Sequence, residues 1–179
     1  MAAAQRVIAL NETYPGGHVG LGFVYLAQKQ YESAIDEMER AIALNPNDAL
    51  GYAYLAETLG RIGKSKEAIE MVEQTLRRNP SENMYGNIGF AYYLAGRPEE
   101  AITALKQFLT HHRNMFGGHL ALAAVYSELG KEVEAQAEAA EVLRINPKFS
   151  LEVHKQRMPI KDPATLERHI AALRKAGLK

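Results

Sequence analysis

A small residue opens a helical stretch four times along the chain, at Ala34, Ala68, Ala101 and Ala135, at intervals of 34, 33 and 34 residues. This period constrains the fold more than any other feature. The repeated unit is clearest in LGYAYLAETLGRIGKSKEAIEMVEQTLRRNP, Leu50 to Pro80. Tyr52, Leu55, Ala56 and Leu59 fall at i, i+3, i+4 and i+7 and so share one face of a first helix, helix A. Ala68, Val72 and Leu76 do the same for a second, helix B. Gly63 stands between them, where a chain reversal calls for a left-handed residue. Asn79-Pro80 ends the unit, because proline disfavours a helical residue before it and cannot continue the hydrogen-bond ladder. Two helices this short cannot hide both apolar faces from water, so a lone unit is marginal and must stack on copies of itself.

The copies agree position by position. The block from Pro15 supplies His18, Leu21, Gly22, Tyr25, Ala34, Met38, Ala41 and Pro46. The second supplies Tyr52, Leu55, Ala56, Leu59, Ala68, Val72 and Pro80, and the third Tyr85, Ile88, Gly89, Tyr92, Ala101, Leu105 and Phe108. The fourth supplies His119, Leu122, Ala123, Tyr126, Ala135, Ala139, Val142 and Pro147. This is the pattern W-x2-L-G-x2-Y, A-x3-F, P, and the chain resembles the tetratricopeptide repeat family over most of its length. The resemblance implies an all-α, right-handed solenoid of antiparallel helix pairs. The small residues let helix A and helix B approach closely while Leu, Ile and Tyr fill the layers around them. Gly63, Gly96 and Gly130 mark the A-to-B turn in three units, and Lys29 replaces glycine in the first, which strains that turn or changes its shape.

The ends differ from the middle. Ala4, Val7, Ile8 and Ala9-Leu10-Asn11 align one period ahead of Met38, Ala41, Ile42 and Ala43-Leu44-Asn45, so the chain begins inside a helix B. The expectation is a segment excised from a longer protein; the alternative is that the half unit is itself a cap. Beyond Pro147, Phe149 to His154 starts like another helix A and stops at Met158-Pro159. Asp162-Pro163 then offers an N-cap and a first-turn proline, Leu166, Ile170 and Leu173 form an apolar stripe, and Gly177 closes the end. This predicts a capping helix over the open end of the fourth unit. The expected organisation is a half repeat at 1–14, repeats at 15–48, 49–81, 82–115 and 116–149, and capping helices over 150–179. The tail NPKFSLEVHKQRMPIKDPATLERHIAALRKAGLK, with IGFAYYLAGRPEEAITALKQFL, also looks like the carboxy-terminal repeat region attached to many proteobacterial class III adenylate or guanylate cyclases. That likeness implies a non-catalytic module of a bacterial signalling protein.

Composition narrows the function by exclusion. With 21 basic and 21 acidic residues the formal charge is zero, so no global field recruits nucleic acid or an anionic membrane. Arg77-Arg78, Lys155 and Arg157 form no basic stripe interleaved with aromatics. Cysteine is absent, in keeping with a reducing, cytoplasmic setting, and no apolar run is long enough for a membrane span. Met1-Ala-Ala-Ala-Gln-Arg lacks the pattern of an export signal. GGHVGLG and FGGH follow no strand and carry no Lys-Ser/Thr, so they are not phosphate loops; their glycine pairs, Gly16-Gly17 and Gly117-Gly118, read as loop residues just outside the helices. His18 and His119 occupy the family's buried aromatic position and read as structural, while His111 and His112 sit at a helix end, where a cation suits the dipole. No metal or other cofactor is expected, and Asp36, Glu37 and Glu39 lie on an exposed face, so no enzyme is expected either.

What remains is the inner wall, which in the family is built from helix A positions two, five, nine and twelve or thirteen. Here these are Val19, Phe23 and Leu26; Leu50, Ala53, Glu57 and Arg61; Asn83, Phe90 and Tyr93; and Leu120, Ala124 and Ser127. They lack the Lys/Asn clamp by which some members hold a carboxyl terminus, which disfavours a chaperone adapter. The wall is instead apolar at Phe23, Leu26, Phe90 and Tyr93, with Asn83 and Asn87 nearby for backbone hydrogen bonds. This suits an extended peptide or an amphipathic helix of a protein partner. The alternative is a self-associating scaffold, a homo-oligomer formed when the half unit at Ala4–Leu10 docks onto another copy.

Overall fold

The computed structural model describes residues 13–179, and among them every regular element is helical. Eight helices form four antiparallel pairs. These are α1 (Pro15–Ala27) with α2 (Tyr31–Leu44), α3 (Ala49–Arg61) with α4 (Ser65–Leu76), α5 (Tyr85–Leu94) with α6 (Pro98–His111), and α7 (Phe116–Glu128) with α8 (Glu132–Ile145). A 3₁₀ turn, Glu82–Met84, leads into α5. Each B helix packs on its own A helix and on the A helix that follows, so the pairs stack in chain order into a solenoid. Of the half repeat expected at 1–14, residues 1–12, with the Ala4–Leu10 stretch expected to contact another copy, lie outside the described residues.

Close approach within each pair follows from the small residues. Ala34, Ala68, Ala101 and Ala135 are all buried. A side-chain carbon added at Gly89 of α5 would lie 2.6 Å from Leu105 and 3.1 Å from its backbone nitrogen in α6, so the pair is shut to anything larger than glycine. Val72 and Leu105 then fill the layers between successive pairs, and Val142 is buried in the core that the fourth pair shares with the C-terminal segment.

All four A-to-B turns have the same geometry. Gly63, Gly96 and Gly130 have φ of 82°, 74° and 70°, and Lys29 takes φ 60° in the same place. The first turn keeps its shape: Lys29 N–H donates to Leu26 O and Gln30 N–H to Tyr25 O, as Gly63 and Lys64 donate to Gly60 and Leu59. The lysine is strained there, since its Cβ crowds the following carbonyl.

The paired glycines are inside the helices, correcting the expectation that they precede them. Gly16 and Gly17 lie in the first turn of α1, and Gly117 and Gly118 in that of α7. At Gly118 the reason is packing, because a Cβ would come within 2.8 Å of Leu109 of α6. His18 and His119 are buried, and each links helix A to helix B: His18 Nδ1 meets Glu37 Oε2 at 2.8 Å and His119 Nδ1 meets Glu138 Oε2 at 2.6 Å.

The C-terminal segment does more than cover an end. The helix begun at Leu151, α9 (Leu151–Arg157), is capped by Ser150 and stops before Met158-Pro159. In the last helix, α10 (Pro163–Lys175), Asp162 Oδ2 accepts from Thr165 N at 2.8 Å, and Gly177 closes the end at φ 101°. Ile170 and Leu173 of α10 are buried in the same core as Leu120 and Ala124 of α7. Between the two helices, residues 158–162 reach back to the first two pairs: Lys161 N–H donates to Arg61 O at 2.8 Å and Lys161 Nζ pairs with Glu32 at 2.7 Å. The cap predicted for the end of the fourth unit thus also crosses the concave side.

Two substitutions test this packing. Ala68→Leu should overfill the α3–α4 contact and cost about 1–3 kcal/mol, whereas Lys29→Gly should relieve the left-handed lysine and gain up to about 1 kcal/mol. Both are read by chemical denaturation.

Candidate functional site

The concave side holds a half-open cavity of about 610 Å³. Its wall is assembled by the repeat period itself. Phe23, Glu57 and Phe90 follow one another at intervals of 34 and 33 residues, and Tyr54, Asn87 and Ala121 at 33 and 34, so α3 and α5 each contribute two register positions and α1 and α7 one of them each. Helix α6 adds Phe108, the residue after its end adds His112, and the C-terminal segment adds His154, Met158 and His169.

The wall is aromatic and electrically neutral overall. Phe23 meets Tyr54 edge to face, with centroids 4.6 Å apart. Phe90 carries the Arg61 guanidinium 4.7 Å above its ring, and His169 lies against Phe90 edge-on at 6.1 Å. The charged groups on this wall satisfy each other: Glu57, buried, accepts from Arg61 through one oxygen and from Asn87 Nδ2 through the other. A buried carboxylate needs such partners to remain ionised without large cost. Polar capacity is left at the rim, where the exposed Asn83 amide has no hydrogen bond among the described residues; His112 Nε2, also without a partner there, is buried.

Of the wall positions carried over from the family pattern, Phe23, Glu57, Arg61, Asn83, Asn87, Phe90 and Leu120 line the cavity. The others do not. Val19 and Leu50 pack between the first and second pairs, and Leu26 packs on Tyr31 and Ala34. Ala53 is fully buried, Ala124 lies in the core shared with α10, and Ser127 is buried. Tyr93 is a core residue: it is 2% exposed, and its hydroxyl donates to Glu128 Oε1 at 3.0 Å. Tyr54 was legible in the sequence, since it stands one period before Asn87. Met158 and His169 were not, because they belong to no repeat.

A polar chain runs behind the wall. Tyr93 donates to Glu128, so His169 Nδ1–H donates to Tyr93 Oη at 3.2 Å. His169 Nε2 then accepts from His154 Nε2–H, also at 3.2 Å. In this order His169 donates from Nδ1 and accepts at Nε2, which requires its imidazole to be neutral. Burial, and then the Arg61 charge, hold His154 down at about 4. Burial, and then the charges of His154, Arg61 and Arg168, hold His169 at about 3. In the unfolded chain both titrate near 6.5.

Between these values the unfolded state binds more protons, so the native state loses stability as pH falls from about 6.5 toward 4 and 3. Stability at pH 5 should lie below that at pH 7 by on the order of 2 kcal/mol or more. Denaturant titrations at the two pH values check this, and the difference should shrink in a His154→Gln/His169→Gln variant.

Three family profiles described as tetratricopeptide repeat match residues 15–48, 37–70 and 55–114, together spanning 15–114. The small glutamine-rich tetratricopeptide repeat-containing protein 2 of Saccharomyces cerevisiae is 35% identical over 85 residues, 47% of this chain and 25% of that protein. The chain spans a quarter or less of the curated relatives' length. Among solved structures, TTC0263, described as a thermophilic TPR protein in Thermus thermophilus, superposes with a TM-score of 0.65 at 22% identity, over 89% of this chain and 98% of that one. YrrB, described as a TPR protein with an unusual peptide-binding site, superposes with a TM-score of 0.56 at 18% identity, over 97% and 90%. Among the described residues no helix is long and apolar enough to cross a membrane. With the repeat pattern, the stacked pairs and the matching profiles in agreement, the chain belongs to the tetratricopeptide repeat family, a family of protein-interaction scaffolds.

Proposed function

We propose that the concave cavity holds an extended peptide segment of a partner protein, anchored by one bulky apolar side chain and performing no chemistry on it. The observation that carries this reading is the make-up of the wall. Aromatic faces from Phe23, Tyr54 and Phe90 surround a space that a side chain can fill, while the exposed Asn83 amide at its edge is open to a backbone amide or carbonyl. Glu57 and Arg61 neutralise each other, so a charged side chain entering here would find no counter-ion and its burial would be disfavoured. The peptide-binding site in the description of YrrB is in keeping with this use of the fold.

The tail's likeness to cyclase-linked repeat regions supports placing the module in a bacterial signalling protein, in the cytoplasm. Self-association through the half unit is the second reading, supported by the alignment of Ala4–Leu10 with helix B; light scattering over a concentration range separates a monomeric binder from it.

A peptide array varied at one anchor position tests the first reading. Capture should favour Phe, Met, Leu and Tyr over Asp and Lys. Phe23 is 38% exposed, so Phe23→Ala should leave the melting temperature unchanged while weakening capture about tenfold. Equal capture of charged and apolar anchors would refute it.

A further inference from the structure

The groove already holds a short piece of this chain. Residues 158–162 form no helix; Met158 is extended, with φ −65° and ψ 119°, and Pro159 holds the preceding residue out of the helical region. The Met158 side chain is buried and lines the cavity, its sulfur 3.6 Å from Arg61 Nη1. Ile160 is buried behind it. Lys161 N–H donates to Arg61 O, one of the carbonyls that the end of α3 leaves without a helical donor. The Lys161 ammonium reaches the first pair, where it meets Glu32 and lies 5.5 Å from the centre of the Tyr31 ring.

We propose that Met158-Pro159-Ile160-Lys161 is a built-in pseudo-ligand, and that the partner's docking segment shares its chemistry. That segment is an extended stretch with a long apolar side chain against Arg61 and Phe90 and a cation three residues later facing Glu32. The inference rests on the groove reading and specifies its ligand. The seated tetrapeptide shows which side chain the wall accepts and which backbone group it pairs. Its hold on the first two pairs is polar and shallow, as both Lys161 and Glu32 are largely exposed and such pairs are weak. Helix α10 is fixed to α7 through buried Ile170 and Leu173, and Met158 and Ile160 reach into that same core. A partner segment displaces the stretch between α9 and α10, exposing Met158 and Ile160 while α10 stays on α7, and binds with an apparent affinity reduced by the fraction of molecules in which the stretch is seated.

The test uses the full chain and a fluorescent nonapeptide copying residues 155–163, KQRMPIKDP, with a control carrying aspartate in place of its methionine. Lys161→Glu sets two carboxylates face to face and should tighten binding of the copy about threefold over the unaltered chain, while the control binds neither. Hydrogen exchange of the residue 161 amide gives a readout independent of the probe. It should quicken in Lys161→Glu and return to the original rate in the charge-swapped Glu32→Lys/Lys161→Glu chain. Equal affinity for both chains, or exchange unmoved by Lys161→Glu, overturns the inference. No binding of the copy alongside capture of array peptides overturns it while leaving the groove reading intact. Failure of every peptide on every chain removes both.

Discussion

A helix pair of this size has two apolar faces and can cover one of them by folding; the other passes on to the next pair. That uncovered face is what builds the molecule. Each B helix covers its own A helix and presents a new face to its successor, with Ala34, Ala68, Ala101 and Ala135 keeping the two helices of each pair close. Stacking brings the A helices to one side, so any property that recurs at one register position becomes a row along the concave wall. Phe23, Glu57 and Phe90 are such a row, and their juxtaposition owes nothing to proximity in the chain.

At the carboxyl end the uncovered face is met by α10, and the path to it decides the shape of the site. Had α9 run on, the chain would have added a further helix A. The Met158-Pro159 step ends it after seven residues, and the backbone then crosses the concave side in extended form. The wall thereby gains a thioether and two imidazoles that no repeat supplies. His169 must be neutral for the hydrogen bonds from His154 through His169 and Tyr93 to Glu128 to run in one direction. Packing of the cap and the protonation state of the tail are thus one requirement.

The repeats were legible because their signals are local and recur. Four small residues at one period, glycines at three of four turns, and proline after three of the four B helices each have a single physical cause, and Lys29 with φ 60° shows the turn imposing its geometry on a residue that resists it. The wall was legible only in part. Assigning positions by family numbering chose Ala53 over Tyr54, a step of one residue that on a helix means about 100° of rotation. It also placed Tyr93 in the groove, although its ring is enclosed once His169 arrives. Contacts made by the tail depend on where a non-repeating segment returns in space, and periodicity carries no information about that.

One consequence concerns size. An open solenoid tolerates the gain or loss of a unit, because each unit touches only its neighbours. Here Lys161, arriving from beyond the fourth pair, is bonded to the end of α3 and paired with Glu32 at the start of α2. An extra pair inserted between them would carry those anchor points out of reach of a five-residue span, and a deleted one would leave it slack. The crossing segment makes the array count itself: between its two anchorages the number of units is fixed, and duplication of any one of them would break the fit.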